Sequence, residues 1–125
     1  AITLWSGDEK KYVADMKVHS VRWVELPVSP SAEQFSRVIF LMIDKLLQLT
    51  STVNGEKEVK LNSVIVHETQ TGYAQAFKED VYSKNMGEIN LEEILFSDEV
   101  KRDWADSELW EKIKGGESFV NPIKV

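Results

Sequence analysis

The stretch LNSVIVHETQTGYAQA, residues 61–76, decides how this chain is read. Leu61 to Val66 is an apolar run rich in β-branched side chains, the composition of a strand. The residues after His67 (Glu68, Thr69, Gln70, Thr71 and Gly72) are polar turn formers, and strand character returns from Tyr73 to Phe77. The segment therefore reads as a hairpin whose first strand ends on an acid, Glu68. A carboxylate at that place is positioned to read the edge of a ligand; the alternative is an exposed strand-end glutamate with no ligand.

Upstream, PSAEQFSRVIFLMIDKLL, residues 30–47, has the pattern of a long amphipathic helix. Ser29 followed by Pro30 predicts its start, because a serine oxygen can satisfy an orphan amide and proline at the first helical position loses nothing. Phe35, Ile39, Met42, Leu46 and Leu49 recur at spacings of four and three, and Val38, Ile43 and Leu47 widen the stripe. Such a face is too broad for a coiled-coil seam and suits packing across a sheet. Asn54 and Gly55 mark a turn, with a charged lead-in from Glu56 to Lys60 before the next strand. This order predicts an α+β architecture, an antiparallel sheet with a long helix packed on one face.

At the front, Ile2 to Trp5 reads as a strand closed by Ser6, Gly7 and Asp8, whereas Lys10 to Met16 has no single reading. Val18 to Leu26 is rich in β-branched and aromatic residues and predicts a second strand, with His19, Val21 and Trp23 on one face and Pro27 ending it. Beyond Phe77 the composition changes. Asn90 with Glu93 fits a capping box, Ser97 precedes DEVKRDW, and Asp106 precedes SELWEKIK, which runs into Gly115 and Gly116. Residues 1–87 thus form an α+β core in this reading, and residues 88–125 a short-helix extension that packs on the core or on a neighbouring subunit.

A chain of 125 residues with 42% apolar and 29% charged residues suits one globular domain. No apolar run approaches the roughly 18 residues that suggest a membrane span. Cysteine is absent, which excludes disulfides and thiolate chemistry. No targeting pattern is visible at the N-terminus, so a cytoplasmic location is expected. The formal charge of −6 is concentrated between Glu88 and Glu111, where nine acids face two bases. No basic stripe is present, which argues against nucleic acid as a partner, and no membrane association is expected. The acidic segment is either a solvated helix face or a surface for a basic protein. Trp5, Trp23, Trp104 and Trp110 serve either core packing or ring stacking. Nucleotide-loop, nucleophile-elbow, metalloprotease and calcium-loop motifs are all missing.

The segments PSAEQFSRVIFLMIDKL and LNSVIVHETQTGYA together resemble the C-terminal half of the family of 6-pyruvoyltetrahydropterin synthases and 6-carboxytetrahydropterin synthases. The resemblance rests on Pro30, Ser31 and Glu33 at a helix start and on Glu68 with Thr69 at a strand end, and it covers roughly Ser29 to Ala76. It implies the tunnelling fold, in which antiparallel sheets of several subunits close into a barrel with helices outside. It also implies that Glu68 and Thr69 bind a pterin-like or purine-like ring at a subunit interface, in a homo-oligomer or in a site completed by another chain. Any catalysis would be carbon–oxygen lyase or aldolase-type chemistry on a dihydroneopterin triphosphate relative.

The departures are specific. Family enzymes hold zinc with three histidines, two of them in a histidine, any residue, histidine pair; this chain has only His19 and His67, so no family-type zinc site and no cofactor is expected. The family's proton-transfer Asp–His pair lies upstream of the helix start. His19 has a similar separation from Pro30 and is the candidate catalytic residue, although Val18 precedes it and Asp15 is the nearest acid. Its alternative is a structural role. His67 is expected on the strand face opposite Glu68 and therefore cannot share a ligand with it. The competing functional reading is a non-enzymatic interaction module, or an accessory subunit, working through the acidic, tryptophan-containing C-terminal region.

Overall fold

Parallel strands need a crossover between them, and the front of the chain supplies one. The computed structural model describes residues 2–52 and 59–121. Strand β1 (Ile2–Trp5) pairs in parallel with β2 (Trp23–Leu26), in a register that sets Ile2 beside Trp23 and Trp5 beside Leu26. Helix α1 (Lys10–His19) joins them. The expected strand over Val18–Leu26 is thus corrected: only its last four residues are strand, and His19 ends a helix. The cause is the crossover, which takes up the residues before Ser20. Ser20 leaves the helix in extended geometry while its amide still donates to the Met16 carbonyl at 2.9 Å. Val18 and Val21, counted as strand formers, are 79% and 66% exposed. Lys17 fixes the helix to β2, pairing with Glu25 at 2.6 Å and lying 4.4 Å over the Trp23 ring.

Helix α2 (Ala32–Leu49) is capped by Ser31, whose hydroxyl oxygen accepts from the Gln34 amide at 3.2 Å. Ser29 is therefore not the cap, and Pro30 stands before the helix instead of inside it, since Ser31 is in extended geometry and has the hydroxyl at the right offset. The buried face also differs from the periodic stripe. Val38, Phe40 and Leu41 are buried together with Ser36, Arg37 and Asp44, whereas Ile39 and Ile43 are partly exposed. Polar side chains occupy that face because each finds partners: all the described Arg37 bonds end on oxygens of Gln34, Asp80, Val81, Met86 and Gly87. An apolar count alone assigns such residues to solvent.

The hairpin expected from residues 61–77 is present as β4 (Ser63–His67) and β5 (Tyr73–Phe77), with Val64 opposite Ala76 and His67 opposite Tyr73. It follows β3 (Thr50–Thr52), which pairs in parallel with β7 (Phe119–Asn121). The turn read at Asn54 and Gly55 lies outside the described residues.

Helix α3 (Lys78–Val81) continues directly from β5, the Phe77 amide donating to Asp80 Oδ2 at 2.8 Å. A 3-10 turn at Leu91–Glu93 follows. Asn90 caps it by accepting from the Glu92 amide at 3.0 Å, not through a capping box with Glu93. Strand β6 (Leu95–Phe96) pairs antiparallel with β2 and completes the order β1-β2-β6. Helix α4 (Asp98–Arg102) is capped by Ser97 as expected, and α5 (Leu109–Lys114) ends at Gly115 and at Gly116, whose φ of +74° favours glycine.

The chain is therefore mixed α/β with small sheets, two of its four strand pairings parallel and two antiparallel among the described residues. The expectation of antiparallel pairing holds for β4–β5 and β2–β6 only. Ile89, Ile94, Trp110 and Ile113 share one buried cluster with Leu26, Val38, Phe40, Leu41, Ala76 and Val81. Trp110 donates its indole N–H to the Ile94 carbonyl at 2.9 Å, and Phe96 meets Trp104 and Trp110 edge-on at 5.0 and 5.5 Å. Among the described residues no helix is long and apolar enough to cross a membrane.

Candidate functional site at the β4–β5 hairpin tip

Two-residue periodicity sorts the hairpin into faces. Val64, Val66, Ala74 and Ala76 turn one way, and Ala76 is buried in the core cluster. Ile65, His67, Tyr73 and Phe77 turn the other way and are exposed. On that outward face Tyr73 is 61% exposed and Ile65 48%, with the His67 and Tyr73 rings 5.7 Å apart and Gln75 bonded to Ser63 at 3.0 Å. Four large side chains on a strand pair with no further described strand beside it form an apolar surface turned to solvent in the single chain.

At the tip the backbone is pinned tightly. The Gly72 carbonyl accepts from the amides of both Glu68 (3.0 Å) and Thr69 (3.2 Å), and the Gly72 amide donates to Thr69 Oγ1 at 2.8 Å. A Cβ at position 72 would stand 2.9 Å from Thr69 Oγ1, so a larger residue here must displace the threonine hydroxyl. Glu68 and Thr69 are thus adjacent and held by one common residue. Glu68 is exposed and makes no ion pair among the described residues, so its carboxylate oxygens keep their acceptor capacity. His67 lies on the outward face of β4, and Glu68 is the next residue.

His19, the candidate catalytic residue, is exposed at the last position of α1. No hydrogen bond or ion pair among the described residues links it to Glu68 or Thr69. Nor do three or more His, Asp or Glu side chains converge as a metal-holding group among the described residues. The residues present, with His19 and His67 as the two histidines of the sequence, do not fit the three-histidine zinc set of the resembling family.

A second polar constellation escaped the sequence reading. Asp44, 8% exposed on α2, accepts from the Tyr82 hydroxyl at 2.6 Å and from Gln48 Nε2 at 3.1 Å. Burial, followed by the hydrogen bond and charge of Asp44, pushes the Tyr82 phenol up to about 12. The signal available in the sequence was an acid following the apolar run Val38–Ile43, at a position four residues before Gln48. Its second partner, thirty-eight residues on, has no local signature.

No family model matches this chain. It is similar to curated proteins named 6-carboxy-5,6,7,8-tetrahydropterin synthase, in line with the resemblance read from residues 29–76. Two curated 6-carboxy-5,6,7,8-tetrahydropterin synthases, from two strains of Helicobacter pylori, are each 29% identical to it over 110 residues, 87% of this chain and 55% of the relative. The chain spans about half the length of the curated relatives it matches.

Proposed function

We propose that this chain binds a pterin-like or purine-like ring through Glu68 and Thr69, as a partial or degenerate relative of the tetrahydropterin synthases. The observation that carries the reading is the similarity over 87% of the chain together with an exposed carboxylate, without an ion pair among the described residues, at a glycine-pinned strand end. Two carboxylate oxygens can accept a pair of N–H donors from a guanidine-like ring edge, and a charge-assisted paired contact is stronger than a neutral one. The Thr69 hydroxyl, already receiving the Gly72 amide, would still have a proton to donate.

In this reading α2 backs the hairpin as the outer helix of a tunnelling fold, and the exposed outward face of β4 and β5 is covered by another copy or another chain. That partner completes the site. The single chain then holds the ligand anchor without the metal, and carbon–oxygen lyase chemistry would require the groups the partner supplies; a cytoplasmic location belongs to the same proposal.

Calorimetry with a pterin and with a guanine nucleotide tests it. Binding is expected in the wild-type chain and is expected to weaken about 10- to 100-fold in Glu68→Gln, the size of a lost charge-assisted pair. Absence of binding to the wild-type chain, alone and with a co-purified partner, removes the proposal.

A further inference from the structure

An apolar hollow of about 320 Å³ opens between α2 and the chain from Phe96 to Ile113. Apolar side chains line it throughout: Trp110 and Ile113 are buried, while Leu46, Trp104 and Leu109 are partly buried. The Trp110 indole N–H is already given to the Ile94 carbonyl, so that ring offers only its apolar surface. Ile43 also lines the hollow and is 37% exposed, as is Ile39 one turn earlier on α2. Val38, Phe40 and Leu41 turn to the core, which leaves this second apolar side of the helix partly uncovered in the single chain.

The surroundings carry charge of one uncommitted sign. Phe96 lines the hollow and also a shallow neighbouring depression whose lining includes Asp98, Glu99 and Arg102. Glu108 stands directly before Leu109, at the start of α5, and makes no side-chain capping bond. Every base between Asp98 and Lys114 is taken by an acid: Arg102 by Glu99 at 2.5 Å, Lys112 by Asp106 at 2.7 Å, Lys101 by Glu111 at 3.9 Å and Lys114 by Glu111 at 3.2 Å, with a second contact to Glu92 at 4.0 Å. Asp103 in turn is paired with Arg22. Asp98 and Glu108 are exposed and make no ion pair among the described residues. The charges left over beside the hollow are therefore both acidic.

Spacing narrows the partner. Ile39, Ile43 and Leu46 recur at four and three along roughly 10 Å of helix rise. A helix laid beside α2 offers its own apolar anchors at the same spacing and over the same length. We infer that this surface docks a basic amphipathic helix of a partner protein, its apolar side chains in the hollow against Ile43, Trp104 and Leu109 and its lysine or arginine side chains toward Asp98 and Glu108. An acidic helix would be repelled by those carboxylates, and a helix basic all round would leave the hollow open. A second copy of this chain, with the same net charge of −6, would bring like charge to like. The surface is separate from Glu68 and does not rest on the pterin reading.

The probe is a helical peptide of leucine and lysine alone, about four turns long with its leucines on one face, titrated into the full chain and followed by tryptophan fluorescence. It is expected to bind roughly 10-fold tighter than the same peptide with glutamate for lysine, and roughly 10-fold tighter than the one with alanine for leucine. Ile43→Ser, and separately Asp98→Asn with Glu108→Gln, are expected to weaken it about 10-fold each, while Glu68→Gln, an acid removed elsewhere, leaves it unchanged. The double variant is also expected to lose part of the salt dependence. Circular dichroism checks that each variant is folded; should Ile43→Ser fail to fold, the alanine peptide carries the apolar half of the test. No binding at millimolar peptide, equal binding of the lysine and glutamate peptides, or binding untouched by both variants overturns the inference. So does a wild-type chain that sediments as a dimer and that Ile43→Ser makes monomeric, because a second copy then covers this face.

Discussion

Ser97 and Trp23 are joined twice: the Ser97 amide donates to the Trp23 carbonyl at 3.0 Å, and the Trp23 amide donates to Ser97 Oγ at 3.1 Å. The same hydroxyl oxygen accepts from the Val100 amide at 3.3 Å, so one buried side chain both caps α4 and holds it to β2. Ser97→Ala removes both acceptor roles and leaves the Trp23 amide without this partner. A loss of about 1 to 3 kcal/mol is expected, read as a lower urea midpoint with an unchanged slope.

The acidic segment contributes part of the core as well as a surface. Cutting the chain after Phe77 would expose Leu26, Phe40 and Leu41 by removing Ile89, Ile94, Trp110 and Ile113. The truncated chain is expected to lose its cooperative thermal transition. Retention of a sharp melt would show that the two parts are independent.

Trp110 separates packing from hydrogen bonding. Trp110→Phe keeps most of the ring volume but abandons the Ile94 carbonyl, at an expected cost of about 1 kcal/mol or somewhat more, whereas Trp110→Ala adds a cavity and should reach about 3 to 5 kcal/mol. Chemical denaturation of the two variants measures the difference.

Tyr82 gives stability a dependence on alkaline pH. Its folded phenol titrates at about 12, above the ordinary value of 10, so the folded state holds its proton where the unfolded state has lost it. The contribution is complete below pH 10 and is lost as pH rises through about 12. Tyr82→Phe should flatten stability over that window and lower it at neutral pH, since Asp44 then keeps only the Gln48 bond described here. Because the ring is about half exposed, solvent screening makes the slope shallow. Denaturant titrations at pH 9 and pH 11 check the sign.

Gly72→Ala tests the tip without touching Glu68. The added Cβ would crowd Thr69 Oγ1, so the threonine must shift. Weaker ring binding with nearly unchanged stability is expected, because the tip is exposed. Calorimetry with the pterin and a urea midpoint on the same variant check the two expectations.

The hairpin was legible because its signals are local: β-branched residues, a polar turn with Gly72 and a return to alternation all lie within residues 61–77. The helix was legible for the same reason, apart from its cap, where two serines flank one proline and only Ser31 has the needed geometry. His19 was misplaced because Val18, Val21 and Trp23 satisfy a strand pattern that the crossover to a parallel β2 overrides. Of the candidate site, Glu68 and Thr69 were visible as residues, while their common tie to Gly72 was not.

The sequence by itself determined the elements whose hydrogen bonds close within a few residues, and it placed an acid at the end of β4. Tertiary structure decided which strands pair in parallel, which face of α2 is buried and where Arg37 and Asp44 find partners. Those outcomes depend on groups far apart in sequence, such as Ile2 with Trp23, Asp44 with Tyr82 and Trp23 with Ser97. A buried polar group is stable only where its partner arrives, and a periodic count of side chains carries no record of that arrival.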